Sequence, residues 1–268
     1  MQGAARPCSG RTGMPFARLA RMTNKRVVVT GASSGIGAAA VRALKDTGWD
    51  VIAVARREDR LQELAAETGA QVLTCDVTDQ ASVEAMARQV LDGGGVDAIV
   101  NNAGGAFGMD SVAEGKPDDW IRMYNVNVLG ALYVTQAFLP ALRENGHGSI
   151  LMLTSTAALA AYEGGAGYCA AKAGEEALTQ ALRLEEAEHN IRVIEILPGM
   201  VKTEEFSLNR LGDAAAADKI YAGVEKPLTA ADVADVMAYA LNAPHHVNLD
   251  QVVIRPVAQA AQHKVIRR

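Results

Sequence analysis

Cysteine is scarce in this 268-residue sequence: Cys8, Cys75 and Cys169 are the only three. An odd number so widely spaced builds neither a disulfide framework nor a metal-ligand set, so no metal is expected and a reducing cytoplasm fits. Long apolar runs are also missing. None approaches the roughly 18 residues that a membrane-spanning helix needs. Excess positive charge is absent too: 26 Lys and Arg face 31 Asp and Glu, for a net charge of -5, which gives no footing for nucleic acid. No linker, repeat or low-complexity stretch divides the chain, so it reads as one large domain. Residues 1–24 lack acids while carrying Arg6, Arg11, Arg18 and Arg21, and they lack the apolar core of a secretory signal. Such a start reads either as a transit peptide or as an extension ahead of Met22. The second reading is preferred, giving a flexible N-terminal extension over 1–24 and a folded domain over 25–268.

Short β-branched runs alternate with helical patterns from Lys25 onward. Strands are predicted over 26–30, 50–55, 71–75, 97–101, 149–155, 191–197 and 251–254. Helices are predicted over 36–45, 58–67, 80–91, 118–144, from Tyr168 to about Glu188, and over 232–241. This alternation points to an α/β fold: a doubly wound parallel sheet of the Rossmann type, a single domain of about seven strands with helices on both faces. Its ligand crevice should lie at the carboxyl ends of the strands. The stretch 203–226 has weak periodicity and reads as an excursion over the sheet edge that would act as a substrate lid.

The first strand stops at a glycine-rich turn containing Gly31, Ser33, Ser34, Gly35, Ile36 and Gly37. Glycines there let the backbone approach a pyrophosphate, whose charge the following helix N-terminus favours. The spacing, G-x-x-x-G-x-G, differs from the commoner G-x-G-x-x-G. The second strand ends without the acid that would select a ribose 2′-hydroxyl. Arg56 and Arg57 follow instead, and arginine suits a 2′-phosphate. NADP(H) is therefore the expected cofactor, with Arg56 the favoured contact. Asp76 and Val77, after the third strand, are placed to meet the adenine, although Asp76 could equally cap its turn.

Tyr168 and Lys172 are four residues apart, and on a helix they share one face. A phenol with a reference pKa of about 10 is a poor base near neutral pH, and a neighbouring cation favours its ionised form. The pair can therefore move a proton.

These residues together resemble the short-chain dehydrogenase/reductase family. The turn 30–37, then Asn101-Asn102-Ala103-Gly104, Asn127, Ser155, Tyr168, Lys172 and Pro198-Gly199 occur in that family's order and spacing. The resemblance covers nearly everything from Lys25 to Val257. Phe107-Gly108-Met109, Glu205-Phe206-Ser207 and the tail from His246 to Pro256 are similar to NADP-dependent 3-hydroxy acid dehydrogenases, which act on serine, related β-hydroxy acids and malonic semialdehyde. Ala243-Pro244-His245-His246 also resembles clavulanic-acid-type aldehyde reductases of bulkier aldehydes and ketones.

The resemblance implies that Tyr168 is the general acid and base, that Lys172 assists it and binds the nicotinamide ribose, and that Ser155 holds the carbonyl oxygen. It implies that Asn127 anchors a relay water; Asn125 is a rival, and only the spacing to Gly130 selects Asn127. Further cofactor contacts are implied at Asn102, Ala103, Gly104, Pro198, Gly199, Val201 and Thr203. It also implies a homotetramer. Expected substrate-wall residues are Phe107, Met109, Glu163, Phe206 and Arg210. Arg210 and Lys202 are candidate cations for a carboxylate. Glu163 departs from the family's small or apolar residue, and 203–206 is one residue longer than the related form. A non-catalytic NADP(H) sensor of this fold would lack the tyrosine–lysine pair. A sugar-nucleotide epimerase would need a larger C-terminal domain.

Overall fold

The computed structural model describes residues 25–203 and 205–268, so the expected extension over 1–24 lies outside the described residues. β1 (Arg26–Thr30), β2 (Asp50–Ala55), β3 (Gln71–Thr74), β4 (Ala98–Asn101), β5 (Ser149–Leu153), β6 (Arg192–Pro198) and β7 (Gln251–Ile254) form one sheet. Its order is β3-β2-β1-β4-β5-β6-β7, with every pairing parallel. A parallel pair needs a crossover, and helices supply it: α1 (Gly35–Asp46), α2 (Glu58–Thr68), α3 (Gln80–Asp92), α4 (Pro117–Tyr124), α5 (Gly130–Asn145), α6 (Thr156–Leu159), α7 (Ala166–Glu186), α8 (Phe206–Leu211), α9 (Ala214–Tyr221) and α10 (Ala230–Asn242).

The alternation of side chains along β1 divides the core in two. Val27 and Val29 point into the layer built with α1 and α10, where Val41, Leu44, Met237 and Leu241 are buried. Val28 points into the opposite layer, with Met86 of α3 and Phe138 and Leu142 of α5. Burial on both faces explains why β1 is an unbroken β-branched run. The strand order turns back between β1 and β4, and that opens the crevice.

Four local features differ from the sequence expectation. β5 stops at Leu153, so Ser155 is the N-cap of α6 and not a strand residue. The helix expected over 118–144 is divided by a π-helical turn, Asn125–Leu129, which carries Asn127. The stretch 203–226 contains α8 and α9, too short for their periodicity to register. A two-stranded antiparallel hairpin, β8 (Gln259–Ala261) with β9 (Lys264–Val265), was not anticipated.

Arg192 is an unexpected core residue. Its guanidinium donates to the carbonyls of Ala240, Leu241 and Ala243 and to the Ser149 hydroxyl. It thereby satisfies otherwise unpaired carbonyls at the end of α10, and burial pulls its pKa down. Among the described residues no helix is long and apolar enough to cross a membrane.

Candidate active site

A cleft of about 1180 Å³ runs along the carboxyl ends of the strands, from Arg57 to Tyr162 and Phe206. Its first wall is the glycine-rich turn. Gly31 has φ +65°, and a Cβ there would meet Ala103 Cα and Asn102 Nδ2 at 2.8 Å, so only glycine fits. Asn102 Nδ2 donates to Thr30 O at 2.7 Å, and the Asn102 and Ala103 N–H groups donate to Thr30 Oγ1 at 3.1 Å. The end of β4 is thus tied to the turn after β1. Gly35, Ile36 and Gly37 open α1 at the cleft, with Gly104 across from them.

Ser34 is the N-cap of α1 but makes no capping bond. Its hydroxyl donates to Glu205 Oε2 at 2.8 Å. Arg57 Nη2 reaches Ser33 Oγ and Ser34 Oγ, both at 2.9 Å. The Arg57 fork also donates to both Glu205 oxygens, at 2.8 Å each. Hydrogen bonds from Arg57 hold the Glu205 carboxyl below its usual range, against partial burial. The guanidinium arranged to grip an oxyanion is therefore that of Arg57. Arg56, the favoured candidate, has a 71 % exposed side chain and comes only within 3.9 Å of Asp76. Asp76 lines the cleft beside Val77, but its Oδ1 accepts from the Thr78 N–H at 3.0 Å and hydroxyl at 2.8 Å, so it caps its own turn. Burial raises the Asp76 pKa, and the Thr78 bonds and the Arg56 charge more than reverse this.

At the other end α7 carries Tyr168 and Lys172 one turn apart, both buried. Lys172 Nζ donates to Leu153 O at 3.0 Å and to Glu175 Oε2 at 2.6 Å. An ammonium has three donors, so one N–H remains for the cleft. Burial, the largest influence, would lower the Lys172 pKa; the charge and hydrogen bond of Glu175, with smaller contributions from Tyr168 and Glu195, together outweigh it and hold it above the ordinary lysine value. Burial raises Glu175 to about 7, an effect that Lys172 only partly offsets and to which the charge of Glu195 adds. Glu195 is itself pushed up by burial, and it accepts from Thr154 at 2.8 Å and Gln251 at 2.9 Å. Thr154 thus spends its hydroxyl behind the sheet. Ser155 Oγ accepts the Ala157 N–H at 3.1 Å, and its own donation, to Pro198 O, is a long 3.5 Å. The cap fixes the oxygen and leaves the proton available to a ligand.

Asn127 is fully buried and does not line the cleft, whereas its rival Asn125 does. The Asn127 amide donates to Met123 O at 2.7 Å and Gly105 O at 2.9 Å, and accepts the Gly105 N–H at 3.1 Å. Its side chain is fully engaged in holding the Gly104-Gly105 loop. A water anchored there would have to use its backbone.

Phe107, Met109, Phe206 and Arg210 line the substrate end, while Pro198, Gly199, Val201 and Thr203 line the wall after β6. Arg210 donates to Gly108 O at 3.0 Å, Tyr162 Oη at 2.8 Å and Gly164 O at 3.1 Å, with its guanidinium carbon 5.8 Å from the centre of the Tyr168 ring. The phenol of Tyr162 is raised by burial, partly offset by Arg210. Two of the candidates lie off the cleft. Glu163 is exposed and does not line the cleft; it sits in a turn closed by the Gly165 N–H donating to Tyr162 O at 3.1 Å. Lys202 points away and is more than half exposed. Sequence reasoning missed Glu175 and Arg122, and it read Glu205 only within the family-like run 205–207. Glu175 could have been found as the acid three residues after Lys172 on the same helix. Glu205 carried no comparable signal, because only folding brings it to Arg57.

The model of the short chain dehydrogenase family matches residues 25–211. The chain belongs to this family. As a short-chain dehydrogenase it is an oxidoreductase. An oxidoreductase of Mycobacterium tuberculosis is 52% identical over 241 residues, covering 89% of this chain and 94% of that protein. Sulfoacetaldehyde reductase 2 of Chromohalobacter salexigens is 39% identical, covering 87% of this chain and 95% of its own. The NADP-dependent 3-hydroxy acid dehydrogenase of Schizosaccharomyces pombe is 35% identical, covering 93% and 99%. The closed form of serine dehydrogenase complexed with NADP+ superimposes with a TM-score of 0.85 at 36% identity, covering 91% of this chain and 99% of that one. Among the described residues no group of His, Cys, Asp and Glu is placed to hold a metal ion.

Proposed function

We propose that this short-chain dehydrogenase uses NADP(H) to interconvert an alcohol and its aldehyde or ketone, acting on a small 3-hydroxy acid or its semialdehyde. The dinucleotide fits: the glycine turn admits a backbone-close phosphate, and Ser33, Ser34 and Arg57 supply donors for a second one. NADP(H), when bound, supplies the hydride in reduction and takes it in oxidation. Arg57, with Arg56 at the rim, serves the 2′-phosphate. Asn102, Ala103 and Gly104 form the floor, and Pro198, Gly199, Val201 and Thr203 line the nicotinamide end.

The protein's own part is proton transfer and orientation. Tyr168 gives its phenol proton to the carbonyl oxygen in reduction and recovers it in oxidation, a role that typically contributes about 10²–10⁴-fold. Ser155 donates its free O–H to the same oxygen. Lys172 presents its remaining N–H to the cleft, with its ammonium 5.9 Å from the centre of the Tyr168 ring. Asn127 keeps the Gly104-Gly105 loop in register with Lys172.

The observation that carries the substrate class is Arg210. Three of its five N–H donors anchor it on Gly108, Tyr162 and Gly164, leaving two for an oxyanion beside Tyr168. Arg122 adds a second cation, 3.7 Å over the Phe107 ring. A carboxylate or sulfonate near the reacting carbon suits this pair, which agrees with the names of the related proteins.

The test is NADPH oxidation and NADP reduction with malonic semialdehyde, sulfoacetaldehyde, L-serine and 3-hydroxyisobutyrate against bulky neutral aldehydes and ketones. Turnover of the small acids is expected, with Arg210→Met raising their KM and sparing neutral substrates. Turnover of bulky neutral carbonyls alone would overturn the substrate class.

The enzyme is further proposed to be a cytoplasmic homotetramer. Trp120, Ile121 and Tyr124 of α4 leave an exposed apolar strip suited to a subunit contact, which light scattering would check.

A further inference from the structure

Glu205 stands one residue before α8, and its carboxylate lies inside the grip of Arg57 and Ser34. Both of its oxygens are held: Arg57 Nη1 and Nη2 donate at 2.8 Å, and Ser34 Oγ donates at 2.8 Å. The same Arg57 nitrogen that reaches Glu205 Oε2 also binds Ser33 and Ser34, so grip and glycine turn form one unit. A carboxylate held by an arginine fork and the Ser34 hydroxyl occupies donors that a sugar phosphate would also use. A carboxylate and a phosphate cannot use the fork together without opposing each other at close range.

Glu205 is also coupled to the substrate end. The next residue, Phe206, donates its N–H to Thr203 Oγ1 at 3.3 Å and packs edge-on to Tyr168 with ring centres 5.9 Å apart. The same helix carries Arg210 to Gly108, Tyr162 and Gly164.

We propose that Glu205 is an internal anion that competes with the cofactor 2′-phosphate for Arg57, and that its displacement releases the start of α8. Glu205 thereby sets the affinity for the phosphorylated dinucleotide and links its arrival to the substrate wall. This rests on the NADP(H) reading above. While Glu205 fills the grip, only a fraction of molecules can accept a 2′-phosphate, and the apparent affinity falls by that fraction. A ligand without the phosphate does not meet this competition.

The experiment is titration calorimetry of the full chain with 2′,5′-ADP and with 5′-ADP, neither of which carries nicotinamide. Glu205→Gln is expected to bind 2′,5′-ADP about tenfold more tightly than wild type, with 5′-ADP affinity unchanged. Amide hydrogen exchange gives the second readout: adding 2′,5′-ADP to wild type should speed exchange in 206–211, and 5′-ADP should not. In Glu205→Gln that segment should exchange fast without ligand. Equal or weaker binding of 2′,5′-ADP by Glu205→Gln, with wild type still preferring 2′,5′-ADP to 5′-ADP, would overturn the competition alone. If wild type and variant both bind 2′,5′-ADP no better than 5′-ADP, the NADP(H) reading falls together with it.

Discussion

Replacing Glu175 by glutamine keeps the side-chain volume and an acceptor for Lys172 but removes a buried, titrating acid. Glu175 lies at 1 % exposure, 2.6 Å from the Lys172 ammonium, and the charge of Glu195 bears on it as well. Its proton affinity moves from the ordinary value of 4.5 to about 7 in the fold, chiefly through burial. Because the folded pKa is the higher, the folded protein holds a proton between these two values that the unfolded chain has lost. Glu175 therefore contributes stability that is full below pH 4.5 and lost as the pH rises through 7. The difference amounts to about 3 kcal/mol, roughly three quarters of it falling between pH 5 and pH 8. For a domain of this size that is roughly 6–12 °C in Tm. Lys172 is raised above its ordinary value of 10.5, so its own linkage lies outside this window. Denaturant unfolding of wild type and Glu175→Gln at pH 5, 6, 7 and 8 isolates the acid, since other titrating groups are common to both. Wild type should lose about 2–3 kcal/mol more than the variant across the series. Parallel pH profiles would refute the claim that Glu175 titrates in the fold.

Tyr168→Phe should abolish turnover, by at least about a hundredfold, while NADPH binding measured by fluorescence titration is retained. Arg57→Gln should raise the KM for NADPH by roughly 10- to 100-fold, the loss of a charge-assisted hydrogen bond, with little change for NADH; Arg56→Gln should do less, and the reverse ranking would restore Arg56 as the main phosphate contact. Arg192→Met strands the carbonyls of Ala240, Leu241 and Ala243, each buried orphan costing about 1–3 kcal/mol, so thermal unfolding should show a clear fall in Tm with no change in KM.

Most strand positions were legible because a strand buried on both faces must be continuously apolar, as in Val27-Val28-Val29. The glycine turn was legible because Gly31 tolerates no side chain. What escaped were elements without a period of their own: the π-helical turn at Asn125–Leu129, the short α8 and α9, and the β8–β9 hairpin. Glu163 was misplaced for a related reason. Its neighbourhood was right, but the chain turns there, and one residue's rotation decides whether an acid faces a cleft or water.

Within the catalytic half, spacing along α7 is set by the helix itself, so Tyr168 and Lys172 share a face in any structure where the helix forms. The glycines at the turn after β1 are set locally as well, whereas the helix start at Ser155 was not read, because it follows directly on the apolar run of β5. Pairings over long separations are another matter. Glu205 reaches Arg57 across 148 positions, and Thr154 meets Glu195 across 41. Arg210 reaches Gly108 across 102. Local periodicity carries no information about such contacts, because they depend on which strand ends the sheet order brings together. The sequence alone determined the fold class and the shared helix face of Tyr168 and Lys172; the tertiary structure decided which arginine grips an anion, which acid faces the lysine and which cation faces the tyrosine.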